Sequence, residues 1–231
     1  PQLQIRVMQA AAESYDSLGE RDRAAALLRD ALKIQERSLP GSREDRALLL
    51  SSLAYSSANY EPENALRWAR EGLALQRAAN PDNLAGMLAT LSSLVAVQYA
   101  NDDAEGAMAT TREGLAVMER AGLDDTDPRY LGALSSLALT LGELDRHDES
   151  HEVQRRVIAA RRKIDGGESR AVALERSYFA HSLLRAKAFD DALQQIEVAI
   201  PVLDKDLGPD NIETVSAHMR KGLALAGLGR H

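Results

Sequence analysis

Two histidines four residues apart, His147 and His151 in the run HDESH, are the pair in this chain best spaced to grip a metal from one helix face. Zinc proteases of that spacing carry a glutamate directly after the first histidine. Here Asp148 stands there, and no third ligand is evident, so no metal or cofactor site is expected. There is no glycine-rich phosphate loop, no GxSxG elbow and no kinase catalytic loop, and the chain has no cysteine to serve as a thiolate. The catalytic set is therefore expected to be empty. What recurs instead is serine. LSSLA or LSSLV stands at residues 50–54, 91–95 and 134–138, giving Ser51 with Ser52, Ser92 with Ser93, and Ser135 with Ser136, and Ser177 with Tyr178 occupies the same place further on. A serine hydroxyl both donates and accepts, which suits it to holding a backbone amide, but it also bonds back to its own helix.

The elements that carry these residues are helices. In Leu18 to Ile34 the apolar and small residues Ala24, Leu27, Leu28, Ala31 and Leu32 follow the i, i+3, i+4, i+7, i+8 spacing of one helix face. The pattern returns, with Ala24 matched by Ala65, Ala107, Ser150 and Ala192 at successive intervals of 41, 42, 43 and 42 residues. A period of that length marks a repeat array whose units are stacked supersecondary elements. Each unit reads as two antiparallel helices. The small residue that opens the buried face of the second helix is numbered 20 within its unit. The first helix then packs through position 8, a ladder of Ala12, Ala54, Val95, Ala138, Ala180 and Gly222. Position 27 gives a second ladder, Ala31, Gly72, Gly114, Val157 and Ala199.

Few aromatics and no alternating apolar and polar stretch favour an all-α chain. The net charge of −7 sets up a field that repels phosphate backbones and anionic headgroups, so neither nucleic acid nor membrane is an expected partner. No apolar run is long enough to span a bilayer, and residues 1–20 lack the charged start and apolar core of a secretory signal; a cytoplasmic location is expected. Arg155, Arg156, Arg161, Arg162 and Lys163 form the one basic cluster, spread around a helix without aromatics, and read as a solvated outer face.

The links carry helix-start and helix-stop residues. Asn80 before Pro81 and Asp127 before Pro128 place a capping side chain ahead of a proline, and Ser42 with Asp45 has capping-box spacing. Gly41, Gly166 with Gly167, and Gly208 stand where helices should end. Pro62 is expected to start the second helix of a unit whose turn is one residue short. Pro201 is expected to kink or end its helix near Ile200.

Small residues at 8, 20 and 27, an aromatic near 11 such as Tyr15, and a helix-turn-helix unit resemble the tetratricopeptide repeat, whose usual period is about 34 residues. The longer period, with links such as DLGPDN, is similar to the variant in kinesin light chains and many bacterial signalling proteins. The resemblance implies a right-handed α-solenoid of five hairpins, at about 1–41, 42–79, 80–124, 125–166 and 167–208, with an unpaired helix at 209–231. It also implies a non-catalytic scaffold for protein or peptide. Positions 2, 5, 6, 9, 12 and 13 of each first helix would line a concave face. There the serines Ser51, Ser52, Ser92, Ser93, Ser135, Ser136 and Ser177 form a track, flanked by Tyr55, Tyr99 and Tyr178. Glu13 and Asp16 lie at one end of that face and His181, Arg185 and Arg220 at the other. Positions 5 and 9 hold Gln9 and Glu13, Ser51 and Tyr55, and Ser92 and Ala96, not the lysine and asparagine with which co-chaperone versions clamp a terminal carboxylate. His147 falls at position 17, the usual place of a packing aromatic.

The first units also resemble the repeat region of some bacterial serine/threonine protein kinases, which would make the chain a recruiting module. Similar repeats occur in transcription regulators that sense peptides. Leu228-Gly229-Arg230 matches Leu18-Gly19-Glu20 five units on with no second helix following, so the chain reads as a fragment of a longer protein. Leu223 and Leu225 on that last helix would offer apolar surface for self-association.

Overall fold

The computed structural model describes residues 1–230, which form eleven α-helices and no strand. They fall into two compact units, one of residues 1–121 and one from residue 122 onward.

In the first unit α1 (Gln2–Ser17) and α2 (Arg21–Ser38) make a hairpin, followed by α3 (Arg43–Ser57) with α4 (Pro62–Ala79) and α5 (Leu84–Ala100) with α6 (Ala104–Arg120). Helices adjacent in sequence pack together, and α3 also meets both α1 and α5, so the three first helices lie side by side. Ala24, Ala65 and Ala107 are each fully enclosed. A methyl at this point lets the helix pair close up, and each buried apolar side chain around it contributes roughly 1.5–3 kcal/mol. At position 27 Gly72 shows why no side chain is tolerated, since a Cβ there would stand 2.9 Å from the Ala47 carbonyl and 2.7 Å from Ser51 Oγ. Val95 departs from its ladder: it is half-buried while Val97 is fully enclosed. A branched side chain does not fit the close contact that alanine makes at Ala12 and Ala54.

The second unit holds α7 (Pro128–Glu143) and α8 (His147–Asp165), α9 (Arg170–Arg185) and α10 (Phe189–Leu207), and α11 (Ile212–Gly227). Ser150 takes the place of alanine by giving its hydroxyl to the Ala138 carbonyl at 2.7 Å, so its polar group is satisfied in a buried contact. Ala192 and Ala199 are enclosed, as is Val157. Gly222, by contrast, is exposed. Leu223 is exposed along with Ile212, Val215 and Met219, but Leu225 turns inward onto the core.

Several links differ from their sequence reading. Asn83, not Asn80, caps α5, accepting from Gly86 N at 3.1 Å, because the Pro81 turn lies ahead of the helix rather than in it. Ser42 bonds the Asp45 carboxylate and makes no side-chain bond to the helix amides. Gly41 lies past the end of α2, which stops at Ser38 with Leu39 as its cap. Asp127 does cap α7, accepting from Arg129 N at 2.8 Å with Pro128 at the first position, and Gly166 ends α8 in the left-handed region. Pro62 starts α4. Helix α10 does not end at Ile200 but runs through Pro201 to Leu207. Pro201 is exposed, as is Glu197, whose carbonyl would otherwise take the missing amide.

Candidate functional site

Three first helices, α1, α3 and α5, bound a groove of about 470 Å³. From α1 come Gln9, Glu13, Asp16 and Ser17; from α3, Leu48, Ser51, Ser52 and Tyr55; from α5, Ala89, Ser92 and Ser93. Ala12 and the enclosed Leu28 of α2 give it an apolar base. Except for Ala12 and Leu28, every lining residue stands at position 2, 5, 6, 9, 12 or 13 of its unit. Helical periodicity puts these positions on one stripe, and side-by-side packing turns three stripes into one trough.

The paired serines divide their work. Ser51 is buried with its hydroxyl toward Gly72, and that oxygen has no hydrogen-bond partner. Its carbonyl accepts from Ser93 Oγ at 2.6 Å, so Ser93 joins α5 to α3. Ser52 is half-buried and Ser92 exposed, and these two present their side chains along the groove. Tyr55 is exposed at the rim with the Arg21 guanidinium 5.4 Å from its ring centre. Tyr99, in the last turn of α5, is exposed and does not line the groove.

Asp16 is the electrostatic centre of this site. Its Oδ2 accepts from Ser56 Oγ at 2.7 Å, while its Oδ1 is buried without a partner. Burial pushes its carboxyl above the ordinary range, against the opposing pull of the Ser56 hydroxyl and the Arg21 charge. Glu13 sits one turn earlier, exposed.

The other expected site residues belong to the second unit. Ser136 Oγ donates to Gly132 O of its own helix at 3.1 Å. Ser135 Oγ lies 3.0 Å from both Leu131 O and Glu175 Oε1, and Arg161 Nε completes the set at 2.9 Å from that carboxylate. Ser177 is fully buried and accepts from Arg220 Nη1 at 2.6 Å. Arg220 stands 6.0 Å from the Tyr178 ring centre, and Tyr178 gives its hydroxyl to Glu213 at 3.4 Å. Burial lowers the proton affinity of His181, assisted by the Arg220 and Arg185 charges. Arg185 reaches Asp145 at 3.6 Å. These serines and Tyr178 are thus engaged within the chain.

His147 and His151 stack, ring centres 6.2 Å apart, and His151 meets the edge of Phe179 at 5.4 Å. Stacked rings do not converge on a common point, and among the described residues no three His, Cys, Asp or Glu side chains are grouped to hold a metal. In the basic cluster Arg156 pairs with Asp125 at 2.7 Å, Arg161 with Glu175 and Arg162 with Glu168, each at 2.9 Å. A further cavity of about 590 Å³ in the first unit is lined by Leu84, Met87 and Val117 beside Arg77 and Glu113. Among the described residues no helix is long and apolar enough to cross a membrane.

Sequence reasoning missed Leu28, Leu48, Ala89 and Ser56 as parts of the site. Leu48 and Ala89 are a repeat interval apart and could have been found by following position 2; Ser56 carries no such signal.

Residues 5–44 and 131–166 match the family described as Tetratricopeptide repeat. No curated protein matches the sequence. Among solved structures, kinesin light chain-type nearly identical TPR-like repeats from Podosopora anserina share 20% identity at a TM-score of 0.77, over 87% of this chain and 95% of that one. The apo form of RapI aligns at a TM-score of 0.75 with 10% identity, over 98% of this chain and 60% of its own. A Rap protein complexed with Competence and Sporulation Factor aligns at 0.52 with 13% identity, over 99% and 78%. The two matched segments are tetratricopeptide repeats, and the chain carries the all-α tetratricopeptide-repeat fold.

Proposed function

We propose that the chain is a non-catalytic protein-binding scaffold whose groove across α1, α3 and α5 holds an extended segment of a partner protein. The observation that carries this reading is the trough itself. Residues from three successive first helices meet in it, with hydroxyls along its length, an apolar base and an exposed tyrosine at the rim. Hydroxyls suit a peptide backbone, the base suits side chains, and tyrosine is among the residues that dominate interface energy. A Rap protein of the same fold is complexed with Competence and Sporulation Factor, which supports a fold able to receive a partner. The net charge of −7 favours a protein over a nucleic acid as that partner.

Peptide display selection on the immobilised protein tests the reading. Selected peptides should bind the parent chain and lose at least tenfold in affinity to Ser92→Trp, which fills the groove from an exposed position. Equal binding to both proteins would contradict it.

A further inference from the structure

The groove is chemically lopsided. Its lining includes the carboxylates of Glu13 and Asp16 and no cationic side chain. Asp16 Oδ2 is taken by Ser56, but Oδ1 is buried and unpartnered. Asp16 is half-buried and Glu13 exposed, so together they set up a partly desolvated negative field that a cation arriving with a ligand offsets. Arg21 is held over the Tyr55 ring, and its charge only partly offsets the burial of Asp16. Beside the carboxylates lies the partly exposed apolar surface of Leu48, which matches the alkyl stem of a long basic side chain.

We infer that the α1 side of the groove receives a lysine or arginine side chain of the bound segment, its stem over Leu48 and its charged head beside the carboxylates of Asp16 and Glu13. This deepens the peptide-binding reading and rests on it. The inference goes beyond a generic track for peptide backbone, because it makes one position of the partner obligatorily basic. The partner's sequence is then sorted by charge: a glutamate in that place meets two carboxylates, and an uncharged side chain leaves their charge uncompensated.

The probes are two synthetic peptides, acetyl-GSAKASG-amide and the same peptide with norleucine for lysine, titrated to millimolar concentration while methyl resonances of Leu28 and Leu48 are followed by NMR. The lysine peptide should bind at least fivefold more tightly. Asp16→Asn and Glu13→Gln should each narrow that ratio, and their melting curves will show whether they remain folded; Glu13 is exposed, so its variant keeps the test open if Asp16→Asn does not fold. Equal affinity of the two peptides, or no shift with either, overturns the inference. If display-selected peptides still depend on Ser92 in that case, the peptide-binding reading survives. If they do not, both fail.

Discussion

Ser56 of α3 gives its hydroxyl to Asp16 of α1 across 2.7 Å, tying the first hairpin to the second at the edge of the groove. The bond offsets only part of the desolvation of a carboxyl whose proton affinity is raised by burial. A carboxyl raised above its unfolded value of 3.8 stabilises the fold fully below that pH, and loses the contribution as pH rises through the folded value. Ionised Asp16 therefore works against the fold at neutral pH. Asp16→Asn, which can still accept from Ser56, should raise the melting temperature at pH 7, and the gain should vanish below the ordinary carboxylate range. A lower melting temperature at pH 7 would contradict this.

Two glycines at the same place in the repeat should respond in opposite ways. Gly72→Ala puts a methyl 2.9 Å from the Ala47 carbonyl, and overpacking of that kind costs about 1–3 kcal/mol, more than the roughly 1 kcal/mol that alanine gains in helix propensity. Gly114→Ala meets nothing within 4 Å and should stabilise by up to about 1 kcal/mol. Urea unfolding of both variants checks the pair of signs.

Gln76 is fully buried and donates to the Asn80 carbonyl at 2.9 Å, closing the link between α4 and α5. Gln35 does the same for Leu39 one repeat interval earlier, at 2.8 Å. Gln76→Ala removes this bond and leaves a cavity at a fully buried site, and should cost about 0.5–3 kcal/mol. Gln76→Met refills the volume without the bond, and should cost less when both are measured by denaturant midpoint.

Pro201 sits inside α10, where it removes one helical hydrogen bond. Pro201→Ala restores it, and a gain of about 1 kcal/mol would raise the melting temperature by roughly 2–4 °C in a chain of this size. A fall would show that the chain depends on the rigidity of proline there.

The small-residue ladder was legible because its physical demand is strict. Where two helices meet at Ala24, Ala65, Ala107 and Ala192 the side chain is fully enclosed, so a small residue must return at each repeat, as Ser150 does in the fourth. Asp127 was legible as a cap because Pro128 fixes the helix start beside it. Asn80 and Asn83 bracket the proline turn, and only the backbone geometry shows which one caps α5. The serine pairs were visible, but adjacent positions on a helix point about 100° apart. One hydroxyl faces Gly72 while its neighbour Ser52 faces the groove, and the sequence motif presents both alike. Ser135 and Ser136 share the motif, yet their hydroxyls are engaged with their own helix and Glu175. Their neighbours, not their spacing, decide which serines face a ligand.

Methyl NMR of the protein with a display-selected peptide tests the central claim most directly. The account predicts shifts at Leu28, Leu48, Ala12 and Ala89, which form the base and walls of the groove. Shifts confined to Leu84, Met87 and Val117 around the separate cavity of the first unit, with the groove methyls unmoved, would contradict it.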